Sequence, residues 1–220
     1  MALLIIGSLT IVGWFAVGTI WNVRRGGELM RWMQPGLRML AARTTVRWLG
    51  STAVEMVMSE PQAPFAKIAA VIFLEPRDMP WMWALGRRKD LLIFRADLPR
   101  APKIDAEWLD PDSWSGRDAR KRAEGLPPPR ADLIELARGC GLPVRRLAVH
   151  RDAPHLQLHV AAPKGGPADA GALFGAFRAL GHSLRHAQGA RPAAEAAAAG
   201  PAGPEAPPAR SASPTTSGRP

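Results

Sequence analysis

The chain has 220 residues and a formal net charge of +10, from 29 Lys and Arg against 19 Asp and Glu. This length predicts one domain, while the 21 Gly and 22 Pro indicate that part of the chain does not fold. A single cysteine excludes an internal disulfide and is typical of a reducing compartment. The excess of arginine does not by itself indicate nucleic-acid binding, because together with abundant Ala, Pro and Gly and no Tyr it is typical of a high-GC coding bias. The location of the charge is more informative: residues 24–47 hold six Arg against one Glu and so carry half of the net charge.

Residues 1–23 contain no charged side chain and predict a transmembrane anchor. At about 1.5 Å per residue, a helix of this length covers roughly 34 Å, enough for a hydrocarbon core of about 30 Å. A cleaved signal peptide would need basic residues before the apolar run, and these are missing. A core helix would rarely be followed by the pair Arg24-Arg25. Signal peptide and core helix stay as alternatives to the anchor.

The basic residues that follow the anchor predict its orientation. Lys and Arg near the end of a transmembrane helix remain on the cytoplasmic side, so we expect the N-terminus outside and the following domain in the cytoplasm, at the cell membrane. The bilayer and its anionic headgroups are then the first partners. The residues expected at the membrane interface are Trp21, Arg24, Arg25, Arg31, Trp32 and Arg38.

Residues 24–43 form a basic juxtamembrane segment with apolar residues at roughly helical spacing. A basic amphipathic helix beside a membrane exit is typical of a helix lying among headgroups. The apolar side would equally suit a domain helix that covers a sheet, and the sequence leaves both interpretations open. Pro35-Gly36 is expected to break or kink this helix.

Residues 44–186 predict a small α+β domain. Alternating and continuous apolar stretches between 44 and 161 predict a mainly antiparallel sheet of about five strands. Helix patterns at 130–139 and 169–186 contribute to an expected two or three helices, the second with Asp169 as its N-cap. A chain starting near Thr44 is therefore expected to be soluble.

Two further segments have a distinct composition. Residues 187–220 consist largely of Ala, Pro, Gly and Ser without a large apolar side chain, which predicts a disordered tail. Residues 99–129 form a long connection with an acidic and a basic half, in which short helices are expected around "DAEWLD" and "RDARKRAEG".

No residue pattern in the chain predicts a catalytic, cofactor-binding or metal-binding site. His155 and His159 share a strand face and His182 and His186 share a helix face, but the two pairs are expected to point apart. Cys140 follows a helix C-terminus, where the helix dipole does not favour a reactive thiolate. The turn at 163–167 lacks the spacing of a nucleotide-binding loop, and the acidic run at 105–112 lacks that of an EF-hand.

Four tryptophans in connecting segments are candidate contacts with a protein partner. Indole side chains beside cations suit both a headgroup-contacting loop and a binding hot spot. The four residues are Trp81, Trp83, Trp108 and Trp114.

The sequence thus favours a single-pass membrane-anchored interaction or assembly protein with a cytoplasmic α+β domain. The alternative is a membrane-proximal enzyme that uses His155 and His159 or an acidic loop residue. Nucleic acid is not expected as a partner, because the folded domain has no recognised motif and only a small basic excess.

Overall fold

The computed structural model describes residues 1–84, 89–111, 117–164 and 169–198, with the backbone alone for 83–84, 117–119, 122 and 187–198. The chain divides into two compact units, Met1–Gln188 and Gly189–Pro220. The first unit contains the sheet and the core. The second begins within the last helix, which ends at Ala198.

The first helix, α1 (Ala2–Leu37), joins the predicted anchor to the domain without interruption. Among the described residues it is the one helix that is long and apolar enough to cross a membrane. Residues 1–17 are exposed, as a helix must be if lipid rather than protein surrounds it. The helix passes through Pro35 and ends two residues later, so the expected break lies at the helix end rather than within the segment.

The second half of α1 packs on the domain along one stripe. Its buried residues are spaced three or four apart, which places them on a single helix face: Gly18, Asn22, Gly26, Leu29, Met33 and Gly36. Leu29 and Met33 belong to the main hydrophobic core, and a side chain at position 36 would overlap the ring of Phe174. Of the two interpretations of the juxtamembrane segment, the apolar side therefore covers the sheet.

Seven strands form one antiparallel sheet in the order β1-β2-β3-β4-β7-β6-β5. The first four are consecutive neighbours, after which the chain crosses to the far edge and returns through a second meander. The strands are β1 (Ala41–Trp48), β2 (Ala53–Pro61), β3 (Lys67–Phe73), β4 (Leu91–Asp97), β5 (Ala106–Leu109), β6 (Val144–Val149) and β7 (Leu156–Ala161). A mainly antiparallel sheet is confirmed, with more strands than the expected five.

The helices of the domain are α2 (Pro80–Ala84), α3 (Arg117–Glu124), α4 (Ala131–Arg138) and α5 (Ala170–Ala198). The helices predicted at 130–139 and 169–186 are present, and a short helix not predicted from the sequence, α2, lies between β3 and β4. Asp169 caps α5 as expected, since its Oδ1 accepts a hydrogen bond from the Gly171 N–H at 2.7 Å. One side of α5, with Leu173, Phe177, Leu180 and Leu184, is buried, and with α1 and α4 it covers one face of the sheet. Three phenylalanines join the layers: the Phe94 ring on β4 lies 5.6 Å from that of Phe174 and 5.3 Å from that of Phe177.

The structure describes parts of two segments with a distinct composition, the 99–129 connection and the C-terminal residues 187–220. The helix expected at "RDARKRAEG" is confirmed as α3, but the one expected at "DAEWLD" is wrong, because these residues form β5 and pair with β6. Four residues are too few for the alternation of buried and exposed side chains to be recognised. The edge strand β5 is therefore defined only by its pairing with β6. Helix α5 enters the segment predicted to be a disordered tail, and 199–220 lie outside the described residues.

Candidate functional site

An ionic cluster joins α1 to the connection between β3 and β4. Asp90, just before β4, accepts hydrogen bonds from Arg25 Nε at 3.0 Å and from Arg77 Nη1 at 3.1 Å. It also accepts the Glu75 N–H at 2.9 Å. Arg77 reaches α1 through the Asn22 side-chain oxygen at 3.2 Å. One carboxylate therefore holds an arginine of the anchor helix and an arginine of the domain together.

The charges of this cluster are partly shielded from water. The Asp90 side chain is 9% exposed, and those of Arg25 and Arg77 are each 17% exposed. Burial alone would raise the pKa of Asp90, but the hydrogen bonds from Glu75, Arg77 and Arg25 outweigh it and hold the pKa below its usual value. The carboxylate is therefore ionised at neutral pH, and its removal would leave two guanidinium groups without their shared partner.

Above this cluster the domain also touches the apolar part of α1. The indole Nε1 of Trp14 donates to the Arg77 carbonyl oxygen at 3.0 Å. Gly18 lies so close to the backbone of Arg77 and Asp78 that a side chain there would overlap it. The 76–79 segment is held from its other side as well, because Ser51 Oγ donates to Asp78 Oδ2 at 2.6 Å. Helix and domain are thus joined over the six turns of α1 from Trp14 to Gly36.

A cleft of about 860 Å³ opens beside the ionic cluster. Its walls come from α1, from the two ends of the β3–β4 connection, and from residues at the ends of β6 and β7. Five of the lining residues are basic: Arg25, Arg77, Lys89, Arg145 and Lys164. A smaller groove of about 330 Å³ continues from it along α1 and shares Trp21, Arg25 and Glu28 with the cleft.

The residues predicted to lie at the membrane interface belong to the second half of α1 and to its C-cap, Arg38. Trp21 is 60% exposed, and Arg24, Arg31 and Arg38 are exposed as well. Arg25 instead turns inward to Asp90. Trp32, half-buried, packs against the core. Four of these six residues, Trp21, Arg24, Arg31 and Arg38, are therefore exposed, and Trp21 also lines the cleft. The other two, Arg25 and Trp32, contact the domain.

The four candidate partner contacts do not form one surface. Trp81, on α2, is 61% exposed. Trp108, on β5, packs against the core and under the Arg138 guanidinium, whose carbon lies 5.9 Å from the ring centre. The Trp83 side chain and Trp114 lie outside the described residues. Trp81 is the described member of the set that has the exposure of a contact residue.

The surroundings of His155 and His159, the two histidines proposed for an enzymatic role, are typical of residues with a structural role. His155 Nδ1 accepts the Leu98 N–H at 2.9 Å. Burial, with Arg146 and Arg95 nearby, lowers the pKa of His159 to about 3, so this imidazole is neutral at physiological pH. Four residues of extended strand place these two residues about 13 Å apart. They cannot act on the same atom of a substrate.

The remaining sequence candidates do not converge either. The described residues contain no group of three or more His, Cys, Asp or Glu side chains that could hold a metal ion. Cys140 is buried, its thiol lies within 3.3 Å of the Leu142 carbonyl oxygen, and burial raises its pKa. Part of the turn at 163–167 lies outside the described residues.

The residues of this candidate site that sequence reasoning did not single out are Asn22, Arg77 and Asp90. None stands in a recognisable motif, and Arg25 and Asp90 are 65 positions apart. One signal was present: Asn22 is a polar residue in the last turn of an otherwise apolar run, and such residues commonly face a protein partner.

No model of a known protein family matches this chain, and no curated protein is similar to it in sequence.

Proposed function

We propose that this protein is a single-pass membrane protein whose domain binds a protein partner and takes part in a membrane-associated assembly. Helix α1 crosses the cell membrane with its N-terminus outside, and the α+β domain lies at the cytoplasmic face. The observation that carries this proposal is the continuous α1, which is part of the core of the domain. A protein that needs only to be kept near a membrane can use a flexible linker, whereas one that presents a surface in a fixed pose cannot.

The distribution of charge supports the orientation. Exposed arginines follow the apolar part of α1, beginning with Arg24 and Arg31, whereas residues 1–23 carry no charged side chain. The positive-inside rule places such a flank in the cytoplasm. Anionic headgroups would then contact these arginines.

The position of α2 supports a partner in the membrane or at its surface. Trp14 lies about 20 Å along the helix from its start, and a hydrocarbon core is about 30 Å thick. Because the 76–79 segment bonds to Trp14, it would lie at the level of the cytoplasmic leaflet in the proposed orientation. There Met79, 37% exposed, and Trp81, 61% exposed, face outward. Such an apolar pair suits the transmembrane or interfacial segment of another protein.

The orientation is tested with two cysteine reporters in intact cells. Cys140 is buried and is a poor target for a thiol reagent, so the reporters are Ala2→Cys and Ser217→Cys. A membrane-impermeant maleimide should label position 2 in intact cells and position 217 only after permeabilisation. The opposite pattern would show that the orientation is wrong.

The basic flank is tested in the same assay. Arg24→Gln with Arg31→Gln should expose the position-217 reporter in part of the population, because these residues no longer fix the orientation. The matched control is Arg43→Gln with Arg47→Gln, two exposed arginines farther from the span.

The interaction is tested by affinity purification from detergent-solubilised membranes. The wild-type chain should recover one protein in stoichiometric amount, and Trp81→Ala should lose it. Phe73→Ala is the control, since this aromatic on β3 is also exposed, at 43%, but does not belong to α2. Loss with both variants, or with neither, would exclude α2 as the contact.

A further inference from the structure

We propose that the cleft beside α1 binds one anionic phospholipid, with the phosphate between Lys89 and Lys164 and the acyl chains along Val17 and Ile20. This inference rests on the proposed membrane anchoring. It adds a specific ligand site to a domain for which the sequence predicts only general attraction to headgroups.

The arginines that line the cleft are paired with carboxylates, whereas the lysines are paired with none in the described part of the chain. Arg25 and Arg77 share the carboxylates of Glu28, Glu75 and Asp90, and Arg145 pairs with Asp110. The two lysines that line the cleft have no ion pair or hydrogen bond with any described residue. Five cations and four carboxylates leave one positive charge, which matches the single negative charge of a phosphodiester.

Pairing of the arginines also fixes the walls of the site. Arg25 donates to Asp90 and to the Pro163 carbonyl oxygen, so α1 is bonded to the segment that leads from β7 to Lys164. Lys89 directly precedes Asp90 in the chain. The two exposed lysines are thus placed at the cleft by a partly buried network, and little of the wall must be reorganised when an anion binds.

The cleft continues along α1 into a groove whose lining is half apolar and half charged. The groove of about 330 Å³ is lined by Val17, Ile20, Trp21, Arg24, Arg25 and Glu28. Val17 is 63% exposed and Ile20 is 54% exposed, and both belong to the part of α1 proposed to lie in the bilayer. A soluble phosphate compound would leave this groove unused. An amphiphile would fill both parts, and Trp21 at their boundary has the amphipathic ring that favours the headgroup level.

The volumes suit such a ligand. Binding pockets for small molecules are typically about 300–1,000 Å³, and the cleft has about 860 Å³. This is room for a headgroup with its phosphate and glycerol, while the chains stay in the groove and the surrounding lipid. A zwitterionic lipid places a quaternary ammonium beside the same lysines and is therefore disfavoured.

The test is native mass spectrometry of the full chain released from detergent micelles that contain phosphatidylglycerol and phosphatidylcholine in equal amounts. We expect one retained phosphatidylglycerol per chain and little phosphatidylcholine. A basic side chain near a lipid surface typically contributes enough for about a fivefold change in affinity. Lys89→Gln with Lys164→Gln should therefore weaken phosphatidylglycerol retention about tenfold or more.

The control variant is Lys67→Gln with Lys103→Gln. It removes the same charge from two lysines that are equally exposed but lie outside the cleft, and it should retain the lipid like the wild-type chain. A melting curve for each variant verifies that both remain folded.

Three results would overturn the proposal. They are equal retention of the two lipids, unchanged retention in the Lys89/Lys164 variant, and complete displacement of phosphatidylglycerol by excess inorganic phosphate. The last result would identify a site for a soluble anion. Failure of the anchoring itself appears separately, as extraction of the wild-type chain from membranes by alkaline carbonate.

Discussion

Asp90 provides the most direct test of the junction between α1 and the domain. Asp90→Ala removes the shared acceptor of Arg25, Arg77 and the Glu75 N–H. Removing one partner from a fully buried ion pair costs about 3–5 kcal/mol. Water can partly replace the lost carboxylate here, because the arginine side chains are 17% exposed. We therefore expect a loss of about 2–4 kcal/mol in the free energy of unfolding.

The assay is thermal unfolding of the full chain in detergent, followed by near-ultraviolet circular dichroism. For a folded unit of this size, 1 kcal/mol corresponds to about 2–4 °C, so the melting temperature should fall by about 5–15 °C. Asp132→Ala is the matched control, since Asp132 also binds an arginine, Arg130, but its side chain is 47% exposed. An exposed pair contributes about 0–1 kcal/mol. If Asp90→Ala lowers the melting temperature no more than Asp132→Ala does, the junction does not stabilise the fold as argued here.

The same carboxylate predicts a pH dependence. Since the pKa of Asp90 is lower in the folded chain than in the unfolded chain, its contribution is present above pH about 4 and is lost as the pH falls through the folded value. Asp90→Asn should be less stable at neutral pH and should lose less stability on acidification than the wild-type chain. Parallel profiles for the two chains would contradict the lowered pKa.

Three further predictions concern α1 and the sheet. A chain that starts at Thr44 lacks the core residues Leu29, Met33 and Leu40. At about 1.5–3 kcal/mol for each buried side chain this loss is about 5–9 kcal/mol, as much as a typical domain's whole stability. Circular dichroism should show this chain unfolded, and a folded monomer would refute this. Gly18→Leu should lower the melting temperature by about 2–10 °C because it displaces the neighbouring backbone, whereas Gly13→Leu, with open space around it, should not. The imidazole of His159 should show no titration by NMR between pH 5 and 8, since its pKa is about 3. Because this pKa is below that of the unfolded chain, protonation of His159 at low pH favours unfolding. His159→Gln should therefore reduce the loss of stability as the pH falls below about 6.5.

Much of the fold was accessible from sequence because its elements have a clear periodicity. The alternating apolar residues of β4 and the apolar residues at helical spacing on α5 mark the buried face of each element, and these residues belong to the core. The apolar stretch at β3 would suit a strand buried on both faces, but Phe73 on its second face is 43% exposed. The four residues of β5 carry no such record, so only the position of β6 defines this edge strand. The continuity of α1 was hidden by Pro35, which lies in the last turn of the helix, so that only two helical residues follow it.

The candidate site was less accessible because its charges are paired over long distances. Arg25 was recognised from sequence as one member of a basic flank, but its carboxylate partner is 65 positions away. Lys89 and Lys164 come together only because β4 and β7 are neighbours in the sheet. Local composition does not contain this information. It arises when strands distant in sequence are paired.

The contact stripe on α1 has a consequence for how this anchor can vary in length. One inserted residue rotates the rest of a helix by about 100° and shifts it by about 1.5 Å. Between Trp14 and Gly36 such a change would turn Asn22 or Arg25 away from its partner in the domain. Residues 1–13 are exposed, and changing their number does not rotate the stripe that packs on the domain. Adaptation to a thicker or thinner bilayer is therefore confined to the first three turns of the helix, while the remainder functions as part of the domain.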